Sequence, residues 1–370
     1  MMSKNEFFEA VKDKIKDYLP PIYQDATVDL VPKVKNNDQE LMGIVIRGSD
    51  ETVIPNIYLD AYYEAYARGD MSLETVLEAV SRDRVENAGT ELEAQVKELL
   101  HYDSIKEKLQ IRLCDPENNE ARLNEVVSSR CGDFAAVYYV NLFENEEGVG
   151  GVAVTPPLLE SWGISLEKLH TDALAADLSR TPVLSSMDDL MSSMLFGEEP
   201  ANLLDKSKTD ELQGENQPGM FGAEVPMYCL TNAGKMNGAS LVINEELMKS
   251  VSEVLGDDLF VLPSSVHEVL LVPASLQMEL SCLQDMVIAV NETEVAPEDL
   301  LSNKVQYYDK SIGVLENAQV RAVRLEKEKQ AERAEEPKSV LQRLSNKKEQ
   351  CAEAGRNIMA GERKTPQLAI

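Results

Sequence analysis

The residues with the clearest chemical potential in this chain are His267 and Glu268, a base beside an acid in the apolar run LPSSVHEVLLVP. A histidine titrates near neutrality and can take a proton from a hydroxyl when a carboxylate holds its ring. Ser264 and Ser265 stand just upstream, and Asn232, in MYCLTNAGKMNGAS, is a further polar group that a neighbouring turn could bring to the imidazole. Strand geometry weighs against a His267–Glu268 dyad. If Val266–Val272 is a strand, His267 shares a face with Val269 and Leu271, and Glu268 points the other way with Val266 and Leu270. The catalytic candidates are therefore His267 with Ser264 or Ser265. The same turns supply a binding set of Asn232, Gly234, Asn237 and His267.

Other chemistry finds little support. HEVLL carries Leu271 where H-E-x-x-H needs its second histidine, and Gly148, Gly150 and Gly151 are followed by no Walker lysine, so a hairpin accounts for them. His101 and His170 have no partner that the sequence identifies. The five cysteines, Cys114, Cys131, Cys229, Cys282 and Cys351, form no C-x-x-C pair. Neither a zinc site nor a disulfide framework is indicated, and no metal or cofactor is expected.

The elements that must position these residues are read from periodicity. Leu247, Met248, Val251, Val254 and Leu255 mark one face of a helix that Asn244 caps and Gly256 ends. With Ser240–Ile243, Leu259–Leu262 and Val266–Val272 read as strands, a ββαββ unit is expected over Met227–Pro273. Upstream, a helix over 4–19 stops at Pro20-Pro21, and a hairpin follows over 28–46 about Asn36-Asn37-Asp38, with Pro32 assigning its first strand to an edge. A helix carries Tyr58, Tyr62 and Tyr66, two more cover 72–85 and 91–100, and Phe134–Phe143 reads as a strand covered on both faces. Trp162, the only tryptophan, is expected to plug a core. A ββα order recurs weakly at 28–68, 134–162 and 227–255. The fold class is α+β, with mixed or antiparallel sheets. Expected divisions are an N-terminal lobe over 1–125, a C-terminal lobe over 126–317 with a mobile acidic loop at 197–224, and a charged helical or disordered tail over 318–370. Within that tail, 337–344 could form a docking helix.

Composition narrows function. The net charge of −29 over 370 residues is uneven: residues 318–370 carry 12 basic and 8 acidic side chains, leaving 24 basic and 57 acidic, a balance of −33, in residues 1–317. Such a body repels phosphate backbones and anionic bilayers, so direct binding to nucleic acid or membrane is not expected of it. No run reaches the length of a membrane span, and the charged start MMSKNEFFEAVKDKIKDYL is unlike a signal peptide. A reduced, cytoplasmic setting is expected.

The runs VIPNIYLDAYYEAYARG, AAVYYVNLFENEEGVGGVAVTPPLLESWGIS, TPVLSSMDDLMSSML, MYCLTNAGKMNGASLVI and LFVLPSSVHEVLLVP resemble a domain-of-unknown-function family of Firmicute proteins, frequent in gut clostridia and their mobile elements. The resemblance spans about residues 4–315. LPSSVHEVLLVP and the Leu-Thr-Asn run followed by Gly238-Ala239 are its most specific parts. It implies a bacterial intracellular protein and brings no catalytic residue with it. The leading expectation is a non-catalytic protein that binds another protein or a small ligand. A hydrolase-like enzyme using His267 with a serine or Asn232 is the alternative, and an acidic decoy mimicking DNA is the third reading.

Overall fold

A computed structural model of the chain describes residues 2–48, 51, 54–86, 98–145, 148–197, 199–205, 226–331, 344, 345, 347 and 348. It divides into two units, Met1–Asn317 and Ala318–Ile370. In the second unit residues 318–331 are helical, and exposed Val320 and Val323 lie among charged side chains. The sequence-expected helix over 91–100, the loop over 197–224 and the docking segment at 337–344 lie largely outside the described residues.

The first unit is α+β, and its sheets are antiparallel throughout. Helix α1 (Lys4–Lys14) begins at a capping box between Ser3 and Glu6 and buries Phe7, Phe8 and Val11. These residues meet Ile44, Ile46, Val76, Leu77 and Val80 in a first core. Ile44 and Ile46 come from β2 (Glu40–Arg47), the middle strand between β1 (Thr27–Val34) and β3 (Asn56–Tyr58), and Val76, Leu77 and Val80 come from α3 (Leu73–Glu86). Pro32 does lie on the edge strand. The helix read from Tyr58 begins later, as α2 (Asp60–Arg68), and Tyr63 and Tyr66 turn their rings onto Phe7.

A second core is built around β4 (Leu109–Cys114) and β6 (Phe134–Asn145), which pair with each other, while β6 also pairs with β5 (Ser128–Cys131) and β7 (Gly148–Ala153). This sheet joins residues on either side of the 125/126 boundary expected from sequence. Phe134, Ala136, Tyr138 and Val140 face the main core, while Ala135 and Val137 face a small cluster with Cys114 and Val126. That second covering ends near Tyr139. Helix α7 (Leu166–Ser179), capped by Ser165, packs on the core side, and Trp162 is buried there with its indole N–H donating 2.6 Å to the Leu99 carbonyl. We number the four-residue helices Tyr102–Ile105 and Glu120–Leu123 as α4 and α5, and Pro156–Trp162 as α6.

The third sheet has the order β13-β12-β10-β11-β9-β8. Its strands are β8 (Pro182–Ser186), β9 (Tyr228–Asn232), β10 (Leu259–Leu262), β11 (Val269–Pro273), β12 (Gln306–Asp309) and β13 (Val314–Asn317). Two sequence expectations fail in it. Ser240–Ile243 is not a strand but part of a 3-10 turn, Gly238–Ile243, entered through Asn237 in the left-handed region at φ 54°. The turn opens at a closely packed glycine: at Gly238 an added Cβ would lie 2.6 Å from the His267 carbonyl and 2.9 Å from the Asn232 nitrogen. The run is buried from Gly238 to Val242; the Ser240 N–H bonds within the turn to the Asn237 carbonyl at 3.3 Å, and the Ala239 N–H leaves it for Val266. The ββαββ reading and the third ββα recurrence, at 227–255, therefore do not hold.

Strand β11 starts at Val269, later than expected. Val266 is held outside it by bonds from its N–H to the Asp299 carbonyl (2.8 Å) and from the Ala239 N–H to its own carbonyl (3.2 Å). His267 and Glu268 thus precede the strand, and the alternation argument does not govern them.

The helix that follows Asn244, α9 (Glu245–Leu255; α8 is Met187–Phe196), has the expected cap, with the Asn244 side chain accepting from the Leu247 N–H at 2.9 Å, and ends at Gly256. Asn244→Ala is expected to cost about 1 kcal/mol. Urea unfolding followed by Trp162 fluorescence measures it, and an unchanged midpoint would remove the cap from the account.

Candidate functional site

One face of the β4–β6–β7 sheet is the floor of a cleft of about 1040 Å³. Strand alternation builds it: Leu109, Ile111 and Leu113 turn to the core, so Gln110 and Arg112 turn the other way, beside Tyr139 and Asn141 of β6. Gly151 of β7 keeps the floor flat, since a Cβ there would sit 2.8 Å from the Val140 carbonyl. The opposite wall is Lys35, Asn36 and Gln39 around the β1–β2 turn, Tyr58 of β3, and Asp60 and Glu64 of α2. The end is closed by Gly234, Met236, Asn237, His267, Glu298 and Asp299.

The β1–β2 turn is more than a connection. Asn36 donates to the Glu298 carbonyl at 3.0 Å, and Asn37 donates to the Pro297 and Leu300 carbonyls at 2.7 and 2.9 Å. The backbone N–H of Asn37 also donates to buried Asn119 at 2.7 Å. Asn37 adopts φ 58°, a left-handed conformation that asparagine tolerates. These bonds fix the width of one end of the cleft.

Of the residues singled out from sequence, the structure brings Gly234, Asn237 and His267 to the cleft. Asn232 is buried behind it, donating to the Met236 carbonyl at 2.8 Å and accepting from the Met236 N–H at 3.3 Å, so it shapes the loop that carries Gly234. Ser265 is buried and its hydroxyl accepts from the backbone N–H of His267 at 3.0 Å; Ser264 binds the Leu301 N–H through its carbonyl at 3.0 Å. Neither serine is among the residues that line the cleft.

The carboxylate on His267 is Asp299, not Glu268. Nε2 lies 3.2 Å from Asp299 Oδ1, and Nδ1 accepts from the Asn237 N–H at 3.2 Å, which makes Nε2 the protonated nitrogen of the neutral ring. Arg112 reaches the same Asp299 oxygen at 3.3 Å and the Glu298 carbonyl at 2.6 Å. The hydrogen bond from His267 is the leading cause that holds the Asp299 carboxyl below its ordinary value, against the opposing effect of burial.

An amide network continues behind the imidazole. Asn237 donates to Gln110 Oε1 at 3.1 Å, and Gln110 donates to the Met236 carbonyl at 3.1 Å. Asn141, oriented to satisfy both ends, donates to Gln110 at 3.1 Å and accepts from Arg180 at 2.9 Å. Sequence reasoning missed Gln110, Arg112, Asn141 and Asp299. The first two had a signal: in LQIRLC, polar residues at alternate positions of an apolar strand mark a second, solvated face. Asp299 had none, because its role depends on a contact between distant loops.

His170 has partners elsewhere: its Nδ1 lies 2.8 Å from the Tyr138 hydroxyl, which donates to Ser129 at 2.6 Å. Burial lowers the imidazole's proton affinity and pushes the Tyr138 phenol up to about 12, and Tyr138 is fully buried, so this cluster packs the core. His101 is exposed at the start of α4. Burial also pushes the thiols of Cys114 and Cys229 up to about 12, well away from the thiolate a nucleophile requires.

Fold and cleft together define an α+β protein with a polar, amide-lined recess between a three-stranded sheet and a four-stranded one. Residues 4–310 match the family of unknown function DUF5688, and the chain belongs to that family. No curated protein and no solved structure matches it.

Proposed function

We propose that the protein binds a small polar ligand in this cleft without transforming it. The observation that carries the reading is the engagement of His267. Both of its ring nitrogens are taken by the protein, Nδ1 by the Asn237 N–H and Nε2 by Asp299, which leaves no lone pair for a substrate proton. Its Asp299 partner is further tied by Arg112, so the trio works as a clasp between the loops at 237, 267 and 299. The cleft has the volume of a small-molecule site, with convergent amides and two tyrosines along it. No helix among the described residues is long and apolar enough to cross a membrane. A bacterial cytoplasm is the setting we infer, in line with four unpaired thiols among the described residues.

The test is a thermal-shift screen of the full chain against polar metabolites, followed by mass spectrometry of each bound compound after incubation. Compounds should stabilise the protein and be recovered intact. His267→Ala should cost about 1 kcal/mol of stability through the lost hydrogen bonds and weaken binding only modestly. Turnover of a bound compound that vanishes in His267→Ala at an unchanged melting temperature would replace this reading with an enzymatic one.

A further inference from the structure

The charges around the cleft are not evenly matched. Arg112 is paired with Asp299 at 3.3 Å, and Asp60 with Lys4 at 2.8 Å. Arg122 and Lys35 are different: among the described residues neither has a carboxylate within ion-pair distance, although the body carries 57 acidic side chains to 24 basic ones. Neutral groups hold their charged ends instead, and the Asp38 carboxylate bonds only the backbone N–H groups of Ala121 and Arg122, at 3.0 Å each. Arg122, on α5, donates to the Val34 carbonyl at 2.8 Å and to the Tyr139 hydroxyl. The Lys35 ammonium lies 4.3 Å over the ring of Tyr58. Val34 immediately precedes Lys35, so the bond from Arg122 brings the two cationic residues to the same corner. Both are half-buried, and both line the cleft with Tyr58 and Tyr139.

A neutral acceptor orients a guanidinium without cancelling its charge. The two bonds from Arg122 use two of its five N–H donors and fix the fork, leaving donors for a further acceptor. A cation over an aromatic face likewise keeps its N–H groups to donate elsewhere. A strongly acidic body repels anions at long range, so an anion retained in this cleft needs short, charge-assisted contacts, which this corner can provide.

We infer that the cleft's ligand is an organic oxyanion, a carboxylate or phosphate ester, whose charged group lies between Lys35 and Arg122 and whose body lies along Tyr58 and Tyr139. This deepens the binding reading above and rests on it. The test titrates the full chain, by ligand-observed NMR, with two matched pairs that differ in charge: phenyl phosphate against phenol, and benzoate against benzamide. At least one anion should bind about tenfold more tightly than its neutral partner, the weight of one charge-assisted contact. Added sodium chloride should erode that preference, and whichever pair discriminates identifies the oxyanion. Lys35→Gln and Arg122→Gln should each bring the ratio close to one. Because Arg122 also holds the Val34 carbonyl, Lys35→Gln is the variant expected to keep the wild-type melting temperature.

A preference that survives in both variants, equal binding of charged and neutral partners, or no binding by either anion at millimolar concentration overturns the inference. Neutral partners that bind as well as anions would leave the cleft-binding reading standing while removing the oxyanion site. Failure of the metabolite screen would remove both.

Discussion

Arg84→Ala is expected to lower stability by roughly 3–5 kcal/mol, the scale on which breaking a buried ionic cluster acts. Arg84 is fully buried in α3, and three groups from different parts of the first core converge on it. Its Nε–H donates to the Ile46 carbonyl at 2.9 Å, Nη1 donates to the Tyr23 hydroxyl at 3.1 Å, and Nη2 is paired with Glu51. The guanidinium also stacks 4.5 Å over the Tyr23 ring. Burial works to raise the Glu51 carboxyl, and the bonds from Arg84 and from the Gly48 N–H outweigh it, so the group is held below its ordinary value. Truncation takes a donor from all three acceptors, of which Glu51 keeps the Gly48 N–H at 2.9 Å and the Tyr23 hydroxyl at 3.2 Å, and opens a cavity. Because Glu51 keeps 24% of its surface exposed, water can repair part of the damage, which favours the lower end of the range. Arg84→Met, which fills much of the volume, should lose less than alanine. Urea unfolding followed by far-UV circular dichroism measures both, and a loss below about 1 kcal/mol for alanine, the worth of an exposed ion pair, would show that the cluster is not what holds this core.

Local rules were enough to read several elements correctly. Asn244 and Gly256 bracket α9, and Asn36-Asn37-Asp38 turns the first hairpin, because capping and turn chemistry act within a few residues. Where the reading failed, a tertiary contact had overridden local preference. The β-branched content of Ser240–Ile243 argued for a strand, but the run is buried in a 3-10 turn that starts at Gly238, against which the carbonyl of His267 lies too closely for a side chain. Strand β8 was not anticipated because a five-residue run with a proline and two serines carries little pattern, and it is stabilised by pairing with β9. The cleft was anticipated only at its closing end, through Gly234, Asn237 and His267. Its floor and far wall come from residues 35–64 and 110–151, and no local pattern in the sequence joins those stretches.

The stability that Asp177 contributes should fall as pH rises from about 4 to about 7, and Asp177→Asn should remove that part of the pH dependence. Asp177 is buried in the last turn of α7, where the helix dipole disfavours a carboxylate, and burial raises its carboxyl from 3.8 to about 7 against the bonds it accepts. The folded state therefore keeps a proton that the unfolded chain releases near 4. Stabilisation from this group is complete below the unfolded value and is lost as pH climbs through the folded one, with an upper bound of about 4 kcal/mol. The geometry explains how the neutral form is accommodated. Oδ1 accepts from the Ile111 N–H at 3.3 Å, Oδ2 lies 2.6 Å from the Ser240 hydroxyl, and that hydroxyl is also 2.9 Å from the Asn237 carbonyl. A serine has one proton to give. With Asp177 neutral, its O–H can donate to Ser240 and free the serine proton for Asn237, the residue whose N–H holds His267 in the cleft. With Asp177 ionised, Ser240 must turn to the carboxylate and Asn237 loses a donor. Asparagine at 177 reproduces the neutral arrangement, its oxygen facing Ile111 and its NH2 facing Ser240. The variant should match wild type near pH 4 and exceed it by a growing margin up to pH 8. Thermal melts across that interval decide the matter: a variant with the wild-type slope, or one less stable than wild type at pH 8, would show that Asp177 is ionised in the folded protein and that Arg180, 3.9 Å away, compensates it.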